Sequence, residues 1–211
     1  MDKDPLSTPD GEIAEGPPAE PRLAATVILL RGGATELEVM LVKRNPEARF
    51  MGGAWVFPGG AVDPHEGTGE SALRAAAVRE VEEEAAVVLP DPNALTTYSR
   101  WITPKFVKTR FDTWFFLSPL PDGAEPRVDG RECVDLRWET PQSALAAWEA
   151  DEIELVFPTI KHLEQLSGFA SADALLEHAA GVEVQPVEPR IEWEGEIARV
   201  LLPGDPGYDQ A

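Results

Sequence analysis

The sequence predicts a mixed α/β fold in which strands outnumber helices, and helices arrive singly between hairpins rather than alternating one for one with strands. Three observations carry this. Residues 24–30 and 37–42 are apolar, β-prone runs separated by Arg31-Gly32-Gly33, which reads as a hairpin. Residues 70–88 are dense in alanine and glutamate and form the strongest helix signal in the chain. Beyond Pro90 come two more strand candidates, 98–103 and 109–117, the second carrying Phe111, Trp114, Phe115 and Phe116.

Element by element, residues 1–22 are rich in Pro, acidic and small residues with little to bury, so they read as a disordered acidic tail. The main domain is expected over 23–150. After the first hairpin, Phe50-Met51-Gly52-Gly53-Ala54-Trp55-Val56-Phe57-Pro58-Gly59-Gly60 is short strand material broken by two Gly-Gly pairs. An acidic loop over 63–69 leads into the long helix, where Val78, Val81, Ala85 and Val88 make a narrow apolar stripe. Pro90 is expected to stop it. A strand is expected over 132–138, then a helix over 141–150 with Thr140 as cap and Pro141 at its first position. Residues 151–211 read as an α/β extension packed on the main domain, with helices at 158–166 and 172–179 and strands at 182–187 and 197–202. Shaping a pocket or a homodimer interface are roles open to this extension.

Composition excludes several classes. The chain has 211 residues and a formal net charge of −20, so it repels phosphate backbones and anionic membranes in general. A phosphorylated small molecule stays admissible, because a bound cation inverts the local field. Cys133 is the lone cysteine, which rules out an intrachain disulfide or multi-cysteine zinc site. No apolar run approaches the ~20 residues that span a bilayer, and the amino terminus lacks a signal-peptide layout. A cytoplasmic protein is expected.

The informative segment is Arg79-Glu80-Val81-Glu82-Glu83-Glu84. On a helix, Glu80, Glu83 and Glu84 fall within about 100° of one another, with Glu82 opposite. Three such carboxylates repel unless protons or a hard cation neutralise them, and oxygen-only ligands suit Mg²⁺ or Mn²⁺. Arg79 lies one turn before Glu83, at ion-pair spacing. A solvated acidic face is the competing reading. The Phe57-Pro58-Gly59-Gly60 turn upstream adds weight to the cation, because glycine lets backbone approach closely.

Together these residues resemble the Nudix hydrolases, whose box reads Gly, five residues, Glu, seven residues, then Arg-Glu-aliphatic-x-Glu-Glu-x-Gly-aliphatic. Residues 79–87 match its second half with Ala86 in place of the glycine, and Gly60 matches its first position. The loop between is five residues longer than the pattern, so the first box glutamate is either Glu66, at the right distance from Gly60, or Glu70. Glu70 is favoured, since it sits at the helix start where a carboxylate suits the dipole.

The resemblance implies an α/β/α sandwich and hydrolysis of a diphosphate bond in a nucleoside diphosphate linked to another group, with Mg²⁺ or Mn²⁺ as cofactor. It implies metal binding by Glu80, Glu83 and Glu84 side chains and the Gly60 carbonyl, with Arg79 orienting the glutamates. Glu132, Asp112 and Asp129 are candidates for an extra carboxylate. Among the cations Lys43, Arg44, Lys105, Lys108 and Arg110, the expected substrate-binding residues are Arg44, Lys105 and Arg110, with Trp55 as a stacking surface; balancing of surface acids competes. The aromatic residues of 111–116 read first as core. Leu41-Val42-Lys43-Arg44 ahead of Val56-Phe57-Pro58-Gly59-Gly60 resembles in part the coenzyme A diphosphatase branch, although that branch's upstream threonine, histidine and acidic residues are out of register. Coenzyme A or an acyl derivative is the favoured substrate, with ADP-ribose and other conjugates open. His65, His162 and His178 are given no role, and Cys133 reads as a packing residue. A non-catalytic Nudix-fold binding module is the alternative; it would be expected to lose the acidic ligands, which this sequence keeps. A third class is an acidic interaction protein whose helix only resembles the box.

Overall fold

The computed structural model describes residues 16–48, 51–194 and 197–210. Residues 1–15 of the expected tail, and Phe50, lie outside the described residues. The first hairpin forms as expected from β1 (Arg22–Arg31) and β2 (Glu38–Arg44), paired antiparallel at Leu30–Val39 and Arg31–Glu38. The glycine-broken segment yields β3 (Trp55–Val56) and β4 (Gly59–Ala61), followed by the long helix α1 (Gly69–Ala85). Then come β5 (Thr96–Ile102), β6 (Phe111–Pro119), β7 (Cys133–Glu139), α2 (Pro141–Glu149), α3 (Phe157–Leu166) and α4 (Ala172–Ala180). Thr140 caps α2 as expected, its side chain accepting from the Ser143 N–H. The strand expected over 182–187 shrinks to β8 (Pro186–Val187), and an unexpected β9 (Arg190–Glu194) pairs with β10 (Ile197–Leu201).

The large sheet runs β3-β2-β1-β6-β5-β8, with β4 on β1 and β7 on β2. β1 and β6 are parallel while β1–β2, β1–β4 and β5–β6 are antiparallel, so the sheet is mixed. Strand alternation sorts its two faces. Ala25, Val27 and Leu29 of β1 and Met40 and Val42 of β2 pack with Leu73, Ala76, Ala77, Val81 and Ala85 of α1. Ile28, Leu30, Val39 and Leu41 pack on the other side with residues of α2, α3 and α4. Burial of both faces explains why β1 reads as an unbroken apolar run. Leu163, Leu166 and Leu175 are fully buried, each contributing roughly 2 kcal/mol. The result is an α/β/α sandwich. Among the described residues no helix is long and apolar enough to cross a membrane.

α1 ends earlier than Pro90. Ala86 adopts the left-handed conformation (φ 53°), its N–H reaching Glu82 O at 3.0 Å, while the Val87 N–H reaches Val81 O at 3.4 Å. This is the closure glycine usually provides, so Ala86 carries strain there. The stripe shifts accordingly. Val81 and Ala85 are buried, but Val88, past the cap, is 59% exposed, and alanines supply much of the helix's core face.

Candidate active site

Pro58 and the two glycines lay the chain on β1 at very close range. The Val27 N–H donates to Pro58 O at 2.9 Å, and Gly59 and Gly60 pair with Thr26 and Ala25. A Cβ on Gly59 would stand 2.6 Å from Ala25 O, and one on Gly60 would overlap the Glu80 carboxylate. Space therefore requires glycine at Gly59, against the β1 backbone, while at Gly60 a side chain would displace the Glu80 carboxylate. α1 crosses this turn with its carboxylates down. The Gly59 N–H donates to Glu84 Oε2 at 2.9 Å, and Arg44 Nη1 stands 3.5 Å from Glu84 Oε1.

Arg79 organises the other carboxylates. Its Nη1 donates to Glu80 Oε1 at 2.7 Å and Glu83 Oε2 at 3.0 Å, and its Nη2 to Ala61 O at 3.0 Å. Its Nε donates to Glu66 Oε1 at 3.0 Å, while Glu66 Oε2 accepts the Asp63 N–H at 2.6 Å. Glu66, and not the favoured Glu70, is thus the one brought to Arg79: Glu70 is 66% exposed and pairs with Arg74 on the helix surface at 2.7 Å. Sequence counting from Gly60 was the signal that pointed to Glu66. The helix-dipole argument misled because the long loop folds back as a 3₁₀ turn over Pro64–Glu66, bringing Glu66 under Arg79.

The electrostatics set the glutamates apart. Burial pushes Glu84 up to about 7, against the Gly59 N–H and Arg44, which lower it. Burial likewise raises Glu80, opposed by Arg79 and reinforced by the Glu83 and Glu132 charges. Burial also acts upward on Glu66, but the Arg79 and Asp63 hydrogen bonds outweigh it and hold the carboxyl below its ordinary value. Buried carboxylates held above their usual range are what a cation stabilises in its ionised form. Among the described residues no cluster of three or more His, Cys, Asp or Glu side chains is drawn together as a finished metal cage. The donor chemistry nevertheless fits a hard divalent cation: oxygen atoms only, on one helix face, beside a backbone turn that a Cβ would block.

The other expected site residues divide. Arg44 is in the site, against Glu84. Arg110 is not free to hold phosphate. It is 6% exposed and spends its guanidinium on Thr103 O (2.9 Å), Ala19 O (2.9 Å) and Glu188 (2.8 Å), tying three segments together. Trp55 is 6% exposed, packed in the core with the Arg137 guanidinium 5.2 Å over its ring, so it offers no open stacking face. Lys105 is exposed between β5 and β6, and no described contact joins it to the box. Asp112 is buried in a bidentate pair with Arg100 (2.8 and 2.7 Å), and Asp129 accepts the Glu132 and Cys133 N–H groups of its own turn. The Glu132 charge contributes to raising Glu80. Of the four aromatic residues, Phe115 and Phe116 are buried as expected for core.

The NUDIX domain family model matches residues 20–158, well over half of the chain. The chain therefore belongs to the Nudix family, the class of hydrolases its box resembles. A human acyl-coenzyme A diphosphatase, NUDT19, is 34% identical over 124 residues, a match covering 56% of this chain but only 33% of the human protein. The Xenopus laevis protein of the same name is 24% identical, with 85% of this chain and 73% of the relative covered. Among solved structures, a Nudix hydrolase from Alicyclobacillus acidocaldarius superposes with a TM-score of 0.66 at 26% identity, covering 75% of this chain and 96% of that one.

Proposed function

We propose that this chain is a cytoplasmic, metal-dependent diphosphatase that cleaves a nucleoside diphosphate linked to another moiety, with coenzyme A or an acyl derivative as the favoured substrate. One observation carries the reading: Glu80, Glu83 and Glu84 share a helix face over the Gly59–Gly60 turn, with Arg79 bridging the first two. In this reading those side chains and the Gly60 carbonyl hold Mg²⁺ or Mn²⁺. The ion, when bound, neutralises phosphate oxygens and lowers the pKa of a water. Arg79 keeps Glu80 and Glu83 oriented, the Gly59 N–H fixes Glu84, and the proton acceptor is one of these glutamates or a loop carboxylate such as Glu132. Arg44, beside Glu84, supplies positive charge for a remote phosphate. The substrate preference is supported by the likeness to the acyl-coenzyme A diphosphatases and by the 41–44 and 56–60 segments.

The test is Mg²⁺- or Mn²⁺-dependent hydrolysis across coenzyme A, acetyl-coenzyme A, ADP-ribose, NADH and dinucleoside polyphosphates. Glu83→Gln and Glu84→Gln should each lower kcat by on the order of a hundredfold or more, since even outer partners of metal ligands cost ten- to a hundredfold. Turnover that survives both substitutions would place the chemistry elsewhere. A folded wild type inert toward the whole panel would favour a binding module.

A further inference from the structure

Residues 129–132, just before β7, form a turn that is held in place without burying anything: all four are exposed. From within, Gly130 takes a left-handed conformation (φ 73°) and its N–H donates to Cys133 O at 2.9 Å. The Asp129 carboxylate accepts the Glu132 N–H at 3.0 Å and the Cys133 N–H at 2.9 Å. From outside, Asn45 grips the same turn. Its backbone N–H donates to Glu132 O and its side-chain Nδ2 to Arg131 O, both at 2.8 Å. Its Oδ1 accepts the Glu47 N–H at 2.9 Å, so one side chain ties the loop after β2 to the turn before β7. Fixing exposed backbone costs conformational entropy and gains no hydrophobic burial. Order at such a place serves what the turn presents, as in functional loops carried on a rigid scaffold.

The turn lies beside the site. Asn45 directly follows Arg44, whose guanidinium stands 3.5 Å from Glu84, and Cys133, the residue after the turn, pairs with Arg44 across β2 and β7. Glu132 brings negative charge to this place. Arg131 is the residue of the turn able to receive an anion: it is exposed, and among the described residues no salt bridge occupies its guanidinium. Asp129, its acidic neighbour, spends its oxygens on backbone N–H groups. With Arg110 committed to internal partners, Arg44 is otherwise the one expected substrate cation found in the site. We infer that Arg131 is a further substrate-binding residue, taking phosphate oxygens of the nucleoside diphosphate, and that Asn45 is the positioning residue that holds it at the site. A guanidinium suits the task because its planar fork matches two phosphate oxygens. The inference rests on the diphosphatase reading of the site.

The experiment is titration calorimetry on the full chain with two probes: Mn²⁺ alone, and α,β-methylene-ADP in the presence of Mg²⁺, a nucleoside diphosphate that resists cleavage at its bridge. Near-ultraviolet circular dichroism establishes that each variant is folded. Arg131→Ala should weaken binding of the analogue about tenfold or more, the worth of a hydrogen bond to a charged group. Its Mn²⁺ binding should be no weaker than wild type, since a nearby positive charge has been removed. Asn45→Ala should weaken the analogue about fivefold, as for one lost hydrogen bond, but should add nothing in the Arg131→Ala background. Analogue binding that survives Arg131→Ala would overturn the inference, and so would an equal loss of Mn²⁺ binding, which marks general damage to the site. Losses that multiply in the double variant would overturn the positioning role of Asn45. A wild type that binds Mn²⁺ but not the analogue would instead overturn the nucleoside diphosphate reading on which the inference rests.

Discussion

The two faces of the central sheet each bury a titratable group, and the surroundings treat the two groups in opposite ways. On the α1 face the group is Glu84, which accepts the Gly59 N–H and stands beside Arg44. On the α3 face it is His162, fully buried, and the register of β5 slips at Tyr98 between Thr97–Phe116 and Ser99–Phe115. That slip aims Ser99 Oγ at His162 Nε2, 2.6 Å away, while Nδ1 lies 2.6 Å from Pro158 O. A neutral ring donating from Nδ1 and accepting at Nε2 satisfies both. The surroundings then diverge. His162 sits among Phe115, Trp101, Tyr98 and Phe57 with ring centroids 4.1 to 6.3 Å away. With no charged partner among the described residues, burial drives His162 down to about 4 and Tyr98 up to about 12, each toward its neutral form. On the α1 face Arg79 and Arg44 stand among the carboxylates, which remain able to carry charge. One face holds its polar groups neutral; the other sets its carboxylates against arginines.

The contrast breaks most visibly in acid. Between pH 6.5 and about 4 the unfolded chain protonates this histidine and the folded chain does not, so stability is whole above 6.5 and is lost as pH falls through that window. The loss attributable to His162 should reach about 3 kcal/mol. Urea unfolding at a series of pH values, for wild type and His162→Phe, should show the variant with the shallower slope. Equal slopes would mean that His162 titrates normally in the fold.

A smaller effect separates Glu66 from Glu70. Glu66→Ala leaves part of the Arg79 guanidinium without its partner and should cost about 2 kcal/mol. Glu70→Ala breaks an exposed pair and should cost under about 0.5 kcal/mol. Denaturant midpoints of the two variants check this, and a reversed order would restore Glu70 to the box. A change of opposite sign is Ala86→Gly, which should stabilise the chain by about 1 kcal/mol by relieving the left-handed alanine. Thermal melting should rise by a few degrees. A fall would mean that the helix end is held by something other than its backbone conformation.

Much of this molecule was legible from local pattern. Helix periodicity was enough to put Glu80, Glu83 and Glu84 on one side of α1, because that relation depends on neighbours along one helix. The first hairpin, the Thr140 cap and the glycine turn were readable for the same reason. The partners of Arg110, Trp55 and Glu66 were not legible because they lie far away in sequence. Nothing near Arg110 announces Glu188 or Ala19, and nothing beside Trp55 announces Arg137 over its ring. The bulges are the sharpest case. In β7 the pairing with β2 skips Val134, and that one residue of slippage decides that Cys133 is buried in the α1-side core while Val134 meets solvent. By itself the sequence determined the mixed fold, the acidic helix face and the tight glycine turn, all of which follow from short-range geometry. Only the tertiary structure decided which carboxylate meets Arg79 and which side chains surround Glu84, because strand register and loop return are settled by packing across the whole sheet.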